Sequence, residues 1–237
     1  MHEVGHASYE QGIAAEHALT PVGQGVSMGV HESQSRIYEN QLGRSRAFTG
    51  WLFGQMRDQF GDIGVTNEDD FYRAVNAVTN GYIRTEADEV QYNLHVMLRF
   101  DLERALISGD LAVADLEAAW NDRFFADFGF AVDRASNGCL QDVHWAWGEL
   151  GYFPTYTLGD MGAAQLWDAA AAALPSLDRA LAGGDCAPLR DWLGEHVHRH
   201  GRTLDPPDLM RRATGAPLSA EPLLRYLGEK YRGLYGL

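Results

Sequence analysis

The chain has 237 residues, 46% of them hydrophobic and 22% charged, which is enough for one large domain or two small ones with a sizeable core. Nineteen Lys and Arg against thirty-three Asp and Glu leave a net charge of −14, which argues against a phosphate-neutralising nucleic-acid surface and against docking to an anionic membrane. The longest stretch without a charged residue, His17 to His31, is rich in Gly and polar residues, so no membrane-spanning helix is expected. Two cysteines, Cys139 and Cys186, are too few for a disulfide framework. They fit a reducing compartment, and a cytoplasmic location is expected.

The chain opens with His2-Glu3-Val4-Gly5-His6, an H-E-x-x-H pattern expected on a helix. Leu19 to Val30 carries Pro21, Gly23, Gly25 and Gly29, so it reads as a loop able to turn a second helix back on the first. That helix is expected to begin near His31 and to hold Glu32 in its first turn. From Val22 to Phe153 there is no proline, which favours helices. Within this stretch, Val90, Leu94, Met97, Leu98, Leu102, Ala105 and Leu106 give Glu86–Ser108 a helical period closed by Gly109. Asp110 is expected to cap a helix through Leu111, Leu116, Trp120 and Phe124.

Phe153 to Leu158 is the best strand candidate, and it is short. Asp160 precedes a helix over Met161–Ala173, stopped by Pro175. Pro188 marks the first turn of another, through Leu189, Trp192, Leu193 and Val197, with Gly201 after its end. Ser219 and Pro222 open a last helix through Leu223, Leu227, Tyr231 and Leu234. Gly183-Gly184-Asp185 and Thr203–Asp208 read as turns, and no repeat or composition break marks a linker. The expected fold is mainly α with about nine or ten helices and very little strand.

The chemistry concentrates at the first motif. Residues four apart share a helix face, so His2 and His6 can hold one metal while Glu3 is placed to take a proton from an attacking water. A catalytic zinc site needs a third protein ligand, and Glu32 is the candidate. Its alternative reading is an acid favoured at a helix N-terminus. His196 and His200 share a helix face but lie near a C-terminus, where His is favourable without a metal, and His198 points away from both.

These residues resemble the thermostable (Taq-type) metallocarboxypeptidases. The resemblance rests on His2-Glu3-Val4-Gly5-His6-Ala7 with Tyr9-Glu10-Gln11-Gly12, on His31-Glu32-Ser33-Gln34-Ser35-Arg36, on Ile83-Arg84-Thr85-Glu86-Ala87-Asp88 and on Gly138-Cys139-Leu140-Gln141-Asp142-Val143-His144-Trp145. It implies a helical, zincin-like metallopeptidase, usually a homodimer, that uses zinc or cobalt to release single residues from peptide C-termini. It further implies one metal per chain on His2, His6 and Glu32, with Glu3 as general base. Arg84 would hold the terminal carboxylate, for which a guanidinium fork is suited. His144 and Tyr156 would bind the scissile carbonyl or its oxyanion. The alternatives are that Arg84 pairs with Asp88 one turn on, that Tyr156 and His144 are core side chains, and that Gln141 and Asp142 orient their neighbours.

The family's H-P-F and D-x-R-x-T motifs do not occur here. Residues 1–237 are therefore expected to be the C-terminal, metal-binding half of such an enzyme, without the N-terminal half. The competing expectation is a non-catalytic helical module that self-associates or pairs with a separate N-terminal half. An endopeptidase using the same metal chemistry is a weaker third.

Overall fold

Eleven α-helices, a π-helical segment and several short 3-10 turns build a structure with no strand, described for all residues 1–237 in a computed structural model. The helices are α1 (His2–Gly12), α2 (Met28–Arg36), α3 (Arg46–Phe60), α4 (Glu68–Val75), α5 (Tyr92–Ser108), α6 (Leu116–Phe128), α7 (Pro154–Ala173), α8 (Leu177–Ala182), α9 (Ala187–His196), α10 (Pro206–Thr214) and α11 (Glu221–Tyr235). The π-helical segment, Ile37–Leu42, continues directly from α2.

The expected helices are present, but several start elsewhere. The Ser27 hydroxyl accepts from the backbone N–H of Val30 and caps α2, so that helix begins at Met28 and Glu32 sits in its second turn. The helix-N-terminus explanation of Glu32 therefore lapses. Helix α5 begins at Tyr92 instead of Glu86, because Arg84–Glu86 forms a 3-10 turn and the Asp88 carboxylate accepts from the N–H groups of Val90 and Gln91. Asp110 caps nothing. Gly109, at φ +83°, closes α5, and a 3-10 turn over Val113–Asp115 leads into α6.

The strand candidate Phe153–Leu158 is instead the beginning of α7. Thr155, Tyr156 and Thr157 look strand-like, yet Pro154 opens the helix, where a missing N–H costs nothing. Gly201 ends a 3-10 turn, His198–His200, that follows α9.

The chain divides into two units. One combines residues 1–76 with 158–237, and the other is 77–157. The core of the first gathers Tyr9, Ile37, Leu42, Leu166, Leu181, Leu189 and Leu193, all fully buried. Each such side chain contributes about 1.5–3 kcal/mol by leaving water. The second unit is built on Leu98, Trp120 and Phe124, with Tyr92, Val96 and Phe153 beside them.

In the first unit, α1 and α2 approach so closely at Gly5 that a β-carbon there would lie 2.2 Å from the backbone oxygen of Gln34. Gly5→Ala is therefore expected to cost about 1–3 kcal/mol or more, since backbone must move. Gly54, exposed in mid-α3 with nothing within 4 Å of its would-be β-carbon, should behave oppositely. Gly54→Ala should gain about 0.5–1 kcal/mol. Denaturant melts of the two variants check both signs.

Candidate metal centre

One turn of α1 separates His2 from His6, so their rings lie on one face with their Nε2 atoms 3.2 Å apart. From α2, Glu32 brings Oε2 to 3.8 Å from His2 Nε2 and 3.6 Å from His6 Nε2. Metal bonds of about 2.0–2.2 Å in a tetrahedron put their donor atoms roughly 3.3–3.6 Å apart. The triangle is near that size and matches a single divalent cation.

The atoms not facing this point are already occupied. His2 Nδ1 lies 2.7 Å from Glu39 Oε2, His6 Nδ1 lies 2.6 Å from His31 Nδ1, and Glu32 Oε1 accepts from Arg36 Nε at 2.8 Å. Each of the three candidate ligands is thus oriented by a neighbour, as metal-binding imidazoles and carboxylates generally are. Helix α7 backs Glu32 at Gly159, where a β-carbon would fall 2.5 Å from Glu32 Cγ. The side chains of His2 and His6 remain 32% and 27% exposed, which leaves the open approach a catalytic site needs. Glu3 is exposed on α1, and its charge acts on His6.

Charge is balanced along one helix face. Arg36 stands between Glu32 and Glu39 and also lies 3.5 Å from Asp160. Burial alone would raise the Glu39 carboxyl. The hydrogen bond from His2 and the charges of Arg36, His2 and Arg44 outweigh it and hold the group down at about 2. That hydrogen bond is also what raises His2 above its usual 6.5, whereas burial lowers His6.

The remaining candidates meet in the second unit. Asp142 bridges two arginines, accepting from Arg84 Nη2 at 2.8 Å on Oδ1 and from Arg99 Nε at 2.7 Å on Oδ2. Arg84 also donates to the Tyr92 hydroxyl (2.8 Å), and its guanidinium lies 4.5 Å from the centre of the Tyr156 ring. His144 Nε2 and the Tyr156 hydroxyl are 2.9 Å apart, and burial lowers the His144 pKa.

Arg84 does not reach for Asp88, which is used as a helix-starting acceptor; its ionic partner is Asp142. Gln141 accepts from the Arg84 N–H and donates to the Tyr82 carbonyl, so it orients this turn. His198 is a core side chain hydrogen-bonded to Gln34 Oε1 (2.8 Å), and His196 stacks on Trp192.

Sequence reasoning missed Glu39, Arg36 and the role of His31. The first two were within reach, since Glu32, Arg36 and Glu39 are spaced to share a helix face.

The chain matches the family described as carboxypeptidase Taq (M32) metallopeptidase over residues 1–231. It is 48% identical over 236 residues to thermostable carboxypeptidase 1 of Thermus thermophilus, covering 100% of this chain and 46% of that protein. It is 42% identical to carboxypeptidase 1 of Bacillus subtilis, covering 99% of this chain and 47% of that one. The crystal structure of the M32 carboxypeptidase from Deinococcus radiodurans R1 superposes with a TM-score of 0.96 at 51% identity, over 100% of this chain and 48% of that one. The chain thus spans about half the length of the relatives it matches.

If His2 is a ligand, a metal competes with its proton, and because hydrogen bonding to Glu39 raises the His2 pKa, zinc affinity is expected to begin falling at a higher pH than for an unperturbed imidazole. In Glu39→Gln the hydrogen bond that raises His2 is weakened, and the fall should begin at a lower pH. Zinc titrations across pH with a competing chelator measure that onset in both proteins.

Proposed function

Because the chain belongs to the carboxypeptidase Taq (M32) metallopeptidase family, we propose that it carries the catalytic half of a metallocarboxypeptidase, with one zinc or cobalt ion on His2, His6 and Glu32. The observation that carries this is the donor triangle, already of metal-binding size with each ligand's outward atom engaged. A divalent cation bound there supplies Lewis acidity toward a peptide carbonyl and makes water easier to deprotonate.

The chain's own residues divide the remaining work. Glu3, next to His2 and open to solvent, accepts the proton of the attacking water and passes it to the leaving amine. His144, neutral because burial lowers its pKa, donates from Nε2 to the Tyr156 oxygen and leaves the phenol proton free for a developing oxyanion. Arg84 has most of its fork committed to Asp142 and Tyr92 and is buried, so the geometry favours holding Tyr156 in place over direct grip of a terminal carboxylate. Peptides with a free C-terminus are the substrates in this reading. Pairing with a second copy would cover Leu140, Val143 and Trp147, which stand exposed in the second unit.

Glu3→Gln is expected to retain zinc while losing about 10²–10⁴-fold in peptide hydrolysis. Release of C-terminal residues by the zinc-loaded chain as it elutes from a sizing column, and its absence on amidated peptides, is the test. No such activity would leave the non-catalytic module as the reading. Tyr156→Phe should lower kcat by about 10²-fold with KM little changed, read in the same assay.

A further inference from the structure

Glu39 orients His2 through a carboxylate, but the partner of His6 is another imidazole. For His6 to present the Nε2 lone pair to a cation, its proton must sit on Nδ1. The only atom within hydrogen-bond reach of that proton is His31 Nδ1, at 2.6 Å, which must then be the acceptor. The His31 proton is consequently on Nε2, which faces Glu10 Oε1 at 3.0 Å.

Glu10 is fixed in turn. The same oxygen accepts from the Gly25 N–H at 3.2 Å, and the Gly25 carbonyl accepts from Arg202 Nε at 2.8 Å. Gly25 lies flat against the pair. A β-carbon there would sit 2.9 Å from His31 Cδ2 and 3.0 Å from Tyr9 Cε1. The ring of Tyr9 adds a second wall, 5.2 Å from His31 centre to centre.

We propose that His31, backed by Glu10, is a positioning residue for the metal centre: it fixes the tautomer and ring angle of His6 through the chain Glu10, His31, His6. This rests on the metal-binding reading above. It makes α2 supply both the third ligand, Glu32, and the orientation of the second, from adjacent residues. It also gives the two imidazole ligands unequal partners, a charged carboxylate for His2 and a neutral ring for His6.

The test separates hydrogen bonding from packing. Asn places an acceptor oxygen near the position of His Nδ1, whereas Leu has similar bulk and no acceptor. His31→Asn is expected to bind zinc within about threefold of the parent and His31→Leu about 10–100-fold more weakly. The visible spectrum of the cobalt-loaded chain should shift in His31→Leu and return toward the parent in His31→Asn. Melts of the metal-free proteins establish that each variant is folded.

Should His31→Leu fail to fold, Glu10→Leu replaces it. Glu10 is exposed, and the same cobalt shift with a several-fold loss of affinity is expected, with Glu10→Gln restoring both. Equal affinities for parent and Leu variant, or equal losses for Asn and Leu, overturn the proposal. A parent chain that binds no zinc overturns the metal-centre reading itself, and with it this inference.

Discussion

The contact between α1 and α2 at Gly5 is the constraint on which the rest depends. Two helices that meet backbone to backbone, with room for no side chain between Gly5 and Gln34, bring their flanking residues within a few ångströms. One end of that contact holds His2, His6 and Glu32, and the other includes His198 bonded to Gln34. Any residue larger than glycine would open the donor triangle. The close packing is thus what makes a first helix with two histidines and a second with one glutamate into a single site.

The second consequence is electrostatic. Glu32, Ser33, Gln34, Ser35 and Arg36 are buried in succession along α2, and Asn40 and Gln41 along the π-helical segment. Burying such groups is unfavourable unless each finds a partner. Here Arg36 sits among Glu32, Glu39 and Asp160, and the serine hydroxyls bond to carbonyls of their own helix. A helix this polar and this buried departs from ordinary amphipathic patterning, which is characteristic of functional sites. The π-helical segment that carries Glu39 is of the kind often found at such places.

The second unit repeats the principle with one carboxylate. Asp142 faces Arg84 and Arg99, and the two arginines carry their charge over the rings of Tyr156, Phe153 and Trp120. Removing the carboxylate would leave two buried cations without a counter-ion, so the cluster stands or falls as a unit.

Much of this was open to the sequence alone. The H-E-x-x-H spacing placed His2 and His6 on one helix face, because the helical period is fixed by the backbone itself. The mainly helical fold, the stops at Gly109 and Pro175 and the family followed from local pattern and quoted motifs. Tertiary structure decided the rest. It moved Glu32 from the first turn of α2 to the second, turned Thr155–Thr157 from strand-like to helical, and gave Arg84 to Asp142 rather than Asp88. It also set Glu39 behind His2 and His31 behind His6. Those pairings join segments separated by loops: the spacing of Glu32, Arg36 and Glu39 shows that they share a face, but which side chain that face meets depends on the path of the whole chain.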